Sequence, residues 1–202
     1  MFGVLILLYY LYMYSLLTSL SIFAWLIMFA VWSYFSFGNK KTTSLPNPIA
    51  QIIANTLLFG SPIFLFYPFF KGALATQITP VSTGLGIIGV LLSIAAVAFA
   101  IWARLTLGKN WSGAVITLKK DHQLVTSGPY KYVRHPIYTG YFLATLGTAL
   151  TIGTFASYIA TIMIFIGFLI RMNKEEKLMT THFPSEYPTY KQRSKKIIPF
   201  IW

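Results

Sequence analysis

Residues 137–170 read IYTGYFLATLGTALTIGTFASYIATIMIFIGFLI, 34 positions without one charged side chain. As a single helix this run would be about 51 Å long, well beyond a hydrocarbon core of about 30 Å. Broken near Gly153, it becomes a hairpin of two short crossings. Charge separates the two readings. With the hairpin, loops 38–48 and 108–136 and the tail 171–202 share one side. That side then holds 15 of the 16 basic residues, and Lys71 alone lies opposite. A single crossing would divide them eight and eight. Basic residues concentrate on the cytoplasmic side of membrane proteins, so the hairpin is the expected arrangement, with loop 108–136 and the tail both cytoplasmic.

The rest of the chain agrees with a membrane protein. Of 202 residues, 56% are hydrophobic and 10% charged, against about 25% charged in a soluble domain. Apolar runs at 2–37, 49–70 and 82–107 precede the hairpin, and each is long enough to cross. The fold class expected is an all-α integral membrane protein, a single membrane domain of about five transmembrane helices. Residues 2–37 fit one long crossing or two short ones. The Tyr-rich start VLILLYYLYMYSLL suits an interface, and MFGVLILLYY lacks the basic flank of a cleaved secretory signal. Pro62 and Pro68 predict kinks in the second crossing. The absence of Cys excludes disulfides, thiolate metal sites, a Cys nucleophile and lipidation on Cys. A net charge of +12 points to anionic lipid and topology, with no nucleic acid partner. GLGIIG (84–89) has the spacing of a dinucleotide fingerprint, yet it sits inside an apolar run, where small residues serve close helix packing.

Polar chemistry gathers on the expected cytoplasmic side. In LVTSGPYKYVRHP (124–136), Ser127-Gly128-Pro129 signals a turn. Pro136 keeps His135 out of the α region and suits the first position of the next helix. Arg134 and His135 therefore stand extended before a helix N-terminus, where free N–H groups favour an anion. In RMNKEEKL (171–178), Arg171 and Glu175 share a helix face, and Glu176 lies roughly 140° from Arg171. The chain has four acidic residues, and two are adjacent here at a membrane boundary; ionisable groups so placed are functional candidates. HFPSEYPTYKQRSKKIIPFIW (182–202) reads as an aromatic, basic segment that anchors at the interface or folds back over the helices, with Glu186 capping or pairing there. Leu107 to Ser112, LGKNWS, reads as an amphipathic loop. The three scattered His give no metal site.

GPYKYVRHPIYTGYF (128–142), R-x-x-x-E-E (171–176) and FPSEYPTY (183–190) together closely resemble the isoprenylcysteine carboxyl methyltransferase family, within the wider group of membrane methyltransferases. The likeness runs in order from about Leu107 to the C-terminus; the first hundred residues match only in being hydrophobic. It implies S-adenosylmethionine as cofactor, in a cytoplasmic pocket formed by loop 108–136 and the tail, within a methyltransferase core spanning 108–202. Carried over, Val125 and Gly128 (through backbone), Tyr130, His135, Pro136, Tyr138 and Glu176 would contact the cofactor, with Arg134 beside them. Arg171 and Glu175 would sit at the reaction centre. The resemblance further implies a lipophilic or prenylated acceptor, reached from the bilayer of a prokaryotic inner membrane.

Methyl transfer from a sulfonium asks mainly for positioning, which can supply about 7–11 kcal/mol. Arg171 would hold an acceptor carboxylate in a charge-assisted pair, and Glu175 would orient Arg171 or take a proton. The alternatives are an N- or S-methyltransferase for a phospholipid or small amphiphile, an NADPH-dependent membrane reductase, and a non-enzymatic membrane protein. Transport fits poorly, because polar groups cluster at one boundary and the crossings hold almost none.

Overall fold

The computed structural model describes residues 2–36, 72–80, 82–111, 122–199 and 201, together with the isolated positions Ile49, Ile52, Ile53, Thr56 and Leu65. Apart from those positions, the expected crossing 49–70 with Pro62 and Pro68, the turn 40–48 and Lys71 lie outside the described residues. Among the described residues every regular element is helical. The α-helices with described bounds are α1 (Phe2–Ser36), α2 (Thr83–Leu107), α3 (Pro136–Ile152), α4 (Phe155–His182) and α5 (Glu186–Arg193). Among the described residues three stretches are long and apolar enough to cross a membrane: Leu11–Phe35, Thr83–Asn110 and Phe155–His182.

Helix α1 is one unbroken element of 35 residues, so 2–37 is not two short crossings. Its inward row is Leu17, Ser21, Ala24, Trp25 and Met28, all buried, at the three-to-four spacing of a single helix face. The opposite side shows Leu16, Leu20, Phe23 and Leu26 outward, as a lipid-facing surface must.

The expected hairpin forms where the sequence placed it. Helix α3 begins on Pro136 and ends after 17 residues at Gly153, whose φ of 75° is left-handed. A Cβ there would meet Thr79 Oγ1 at 2.8 Å, so both conformation and space favour glycine. Thr154 then caps α4 by accepting from the Ser157 N–H. The loop before α2 braces this turn: Ile78 N–H donates to Gly153 O (2.8 Å) and Phe155 N–H to Thr76 O (2.9 Å). One end of the bundle thus joins 72–80 to the 153–154 turn. The other end collects residues 108–111, 122–135 and 183–199, the described parts of the loop and tail that the charge argument puts on one side.

Helices α2 and α3 run antiparallel along a seam of small residues. Gly86 meets Thr151, whose Oγ1 donates to Gly86 O (3.4 Å). Gly89 faces Gly147, and Ser93 Oγ donates to Ala144 O (3.1 Å). Gly140 lies on Ala96 and Ala100. Gly86 and Gly89 of GLGIIG are therefore buried at helix contacts, as their setting suggested, whereas Gly84 is exposed with nothing against it. Lipid tails are as apolar as leucine, so helices associate through close packing and polar contacts. Trp25 Nε1 supplies one such contact, donating to Thr148 Oγ1 (2.9 Å) from α1.

A Cβ on Gly147 would lie 2.5 Å from Gly89 O and 2.7 Å from Ser93 N, both held by a helix that cannot yield locally. Gly147→Val should therefore destabilise by about 3 kcal/mol, the upper end of overpacking costs. Thermal unfolding in detergent reads the difference. Ile162→Val, at an exposed position on α4, is the control and should leave the midpoint nearly unchanged.

Candidate active site

The site grows from two walls. The first is the segment before α3. Gly128–Lys131 forms a 3₁₀ turn with Pro129 near its start, backed by Thr106 of α2, 3.1 Å from where a Gly128 Cβ would stand. Because Pro136 denies His135 the α conformation, residues 133–135 leave backbone groups open to pairing. The tail takes them. Arg134 N–H donates to Lys195 O (2.8 Å), His135 N–H to Lys196 O (3.1 Å), and Lys195 N–H to Tyr132 O (3.0 Å). Thr139 Oγ1 adds a bond to Ile197 O (2.9 Å). From α5, the buried Tyr190 hydroxyl donates to Tyr130 O (2.6 Å). Burial pushes that hydroxyl up to about 12, which keeps it a donor. The tail accordingly folds back over the helices, one of the two arrangements expected of it.

The second wall is the last part of α4, where Arg171, Met172 and Glu176 are buried. Arg171 Nε donates to the Tyr138 hydroxyl (3.3 Å), and Tyr138 in turn donates to Glu175 Oε1. Arg171 Nη2 stands 4.0 Å from the same carboxylate oxygen. The Tyr138 ring is stacked between His135 (centroids 5.6 Å apart) and Phe168 (4.5 Å). His135 lies between the two carboxylates, with Nδ1 3.5 Å from Glu175 Oε2 and Nε2 3.3 Å from Glu176 Oε1. Glu176 also receives Arg134 Nε (2.9 Å) and Lys191 Nζ (3.1 Å).

The structure thus brings Arg134, His135, Pro136, Tyr138, Arg171, Glu175 and Glu176 together, and sets the Tyr130 turn against α5. Val125 lies in the segment leading to that turn. Its neighbours Leu124 and Thr126 line a cleft of about 390 Å³ with Ser185, Glu186, Thr189 and Arg193. Glu186 opens α5, where a negative charge suits the helix dipole. Arg134 points inward to Glu176 and the Ser194 carbonyl, so it serves as a strap on the tail. The first intrahelical bond of α3 is Thr139 N–H to His135 O (3.0 Å). His135 makes no side-chain cap, so the N–H groups of Ile137 and Tyr138 precede the hydrogen-bonded ladder.

Burial is the largest single influence on His135 and disfavours its charge. The hydrogen bonds to Glu175 and then Glu176, with their negative charges, outweigh it and raise the imidazole above its ordinary 6.5. Both ring nitrogens face carboxylates, which only the doubly protonated ring satisfies. A raised value means the contribution is complete below pH 6.5 and is lost as pH climbs through the folded value. Thermal unfolding between about pH 6 and 9 should therefore show a decline on the alkaline side that His135→Gln removes.

Sequence reasoning missed Arg104, counted only as one of the 15 basic residues on one side. It is buried at 1% exposure inside α2. Nη1 donates to Gly108 O (2.8 Å) and Nη2 to Phe35 O (2.9 Å), closing the ends of α2 and α1 together. The guanidinium also lies 4.5 Å from the Trp111 ring centroid. The signal was available: an arginine four residues before Gly108, with an aromatic residue just beyond it. Arg104→Ala should cost about 3 kcal/mol by stranding buried carbonyls and stacked rings, read as a lower unfolding midpoint.

A helical bundle with membrane-length elements and a cluster of ionised side chains at one end defines an integral membrane protein with a boundary site. Residues 88–181 match the model of the isoprenylcysteine carboxyl methyltransferase (ICMT) family. The match begins inside α2, earlier than the motifs from Leu107 onward had indicated. A protein-S-isoprenylcysteine O-methyltransferase of Schizosaccharomyces pombe is 36% identical over 96 residues, 46% of this chain and 41% of that protein. The enzyme of that name from Xenopus laevis is 29% identical over 177 residues, covering 84% of this chain and 62% of the relative. A solved structure of the eukaryotic intramembrane Ras methyltransferase ICMT superposes with a TM-score of 0.53 at 27% identity, covering 78% of this chain and 55% of that one. The likeness to the isoprenylcysteine carboxyl methyltransferase family is borne out in sequence and in fold. The chain spans less than two thirds of the length of each of these proteins.

Proposed function

We propose that this chain is an S-adenosylmethionine-dependent membrane methyltransferase that esterifies the carboxylate of an isoprenylcysteine-like or other lipophilic acceptor. One observation carries the reading: Arg171, Tyr138, Glu175, His135 and Glu176 form a continuous hydrogen-bonded chain joining the two walls. The donor set suits the cofactor's chemistry. Glu175 and Glu176 offer negative charge to an ammonium and a sulfonium. The Ile137 and Tyr138 N–H groups at the start of α3 suit a carboxylate. When bound, the cofactor supplies an electrophilic methyl group. Tyr138, stacked and hydrogen-bonded, fixes Arg171 and Glu175 relative to each other. Arg171 holds the acceptor carboxylate in charge-assisted contact, and no proton need be removed from an ionised acceptor. Arg134 serves by holding Glu176 in place. Val125, Gly128, Tyr130 and Pro136 complete the cofactor wall. In this reading the site faces the cytoplasm of a prokaryotic inner membrane, supported by the concentration of basic residues at that end of the chain's topology, with the acceptor's apolar tail in the bilayer.

The test is methyl transfer from radiolabelled S-adenosylmethionine in membranes offered N-acetyl-S-farnesylcysteine. The expected product releases its label as methanol in base. A base-stable product, or transfer to lipid amines alone, sinks the ester reading. Because the chain has no Cys, a single Lys177→Cys substitution also reports the side: it should react with a membrane-impermeant maleimide only in inverted vesicles.

A further inference from the structure

The buried face of α4 follows a regular row: Ser157, Ala160, Ile164, Gly167 and Arg171. These positions alternate steps of three and four, the spacing of one helix face. The next step of three lands on Lys174. That lysine is half-buried, its ammonium is shielded from solvent, and among the described residues it has no hydrogen-bond partner. Lys177, one turn on, is exposed. Shielding a cation without an opposite charge is strongly unfavourable, so the position makes physical sense if an anion joins it.

The helix places that anion. At 100° per residue, Lys174 lies about 60° to one side of Arg171, and Glu176 about 140° to the other. The flank with Glu175 and Glu176 faces His135 and Arg134. The flank with Lys174 faces away from them. In-line transfer requires donor and acceptor on opposite sides of the moving group, and Arg171 stands between the two flanks. We propose that Lys174 and Arg171 together form a two-cation slot for the carboxylate of an amphiphilic acceptor, with Lys174 a specificity-determining residue. This rests on the methyl-transfer reading for the acceptor's role, but the binding of a carboxylate stands apart from turnover. A carboxylate has two oxygens, one for each cation. An amine or a neutral amide would gain nothing from a second cation, so the slot favours carboxylate acceptors over amine ones.

The experiment is equilibrium binding of N-acetyl-S-farnesylcysteine and of its uncharged carboxamide to the full chain in phosphatidylcholine nanodiscs. The wild type should bind the acid at least tenfold more tightly. Lys174→Gln should shrink that preference about tenfold, leave carboxamide binding and S-adenosylmethionine binding within twofold, and leave the unfolding midpoint equal or higher. Lys174→Arg should restore most of the preference. An unchanged preference in Lys174→Gln overturns the proposal, as does equal loss of both ligands or a wild type that binds neither. Phosphatidylglycerol in the discs distinguishes a lipid headgroup site: if it erases the wild-type preference, the slot is not an acceptor site and the proposal is wrong. Binding with the stated preference but without methyl transfer would instead overturn the enzymatic reading alone.

Discussion

Arg171→Met should lower methyl transfer by roughly 100-fold or more, the scale on which a pre-placed donor acts on a reacting group. Cofactor affinity should stay within a few-fold. The split follows from the hydrogen-bond chain. Arg171 donates to Tyr138 (3.3 Å), whereas Glu175, Glu176 and His135 contact one another without it. Tyr138 still donates to Glu175 in the variant, so the proposed cofactor wall keeps its shape. Arg171→Lys should recover only part of the rate. A lysine cannot reach the Tyr138 hydroxyl and an acceptor carboxylate with one planar fork. Single-turnover rates alongside cofactor binding measure both halves. A variant that turns over normally ends the assignment of Arg171 to the reaction centre.

The second large effect is on Glu176. It gathers Arg134 at 2.9 Å, Lys191 at 3.1 Å and His135 at 3.3 Å, and its side chain is only 10% exposed. Glu176→Ala leaves those cations facing one another in a largely buried space. Breaking such a pair from one side costs about 3–5 kcal/mol. The loss should spread to the tail, because Arg134 also holds the Ser194 carbonyl. Hydrogen exchange should quicken at the amides of Arg134, His135 and Lys195, while amides of α2 and α3 near Gly89 and Gly147 stay protected. Lys191→Ala makes the comparison. That side chain is 42% exposed, so its removal should cost less than about 1 kcal/mol. Equal effects from the two substitutions would mean that charge pairing is not what Glu176 contributes.

Features governed by one residue and its immediate neighbours were legible in the sequence. Pro136 starts α3, Gly153 ends it, and the four-residue spacing puts Arg171 beside Glu175. Gly86 and Gly89 could be read as packing because their apolar setting allowed little else. What remained hidden depends on partners far along the chain. No local pattern says that Lys195 and Lys196 will offer their carbonyls to residues 134 and 135, or that Lys191 will find Glu176. Arg134 looked free to meet an anion. Its partner turned out to be a carboxylate 42 positions later.

The tail bonds at residues 194–197 impose an order on synthesis. The crossings α1 to α4 can enter the membrane and pack while the ribosome is still at work. Until residue 197 has been made, however, His135 and Arg134 lack the backbone partners that hold them. A nascent or nicked chain would therefore be inserted and helical while the proposed site stays unformed. The two walls would close in one late step, after the membrane-embedded part has passed every check that insertion imposes.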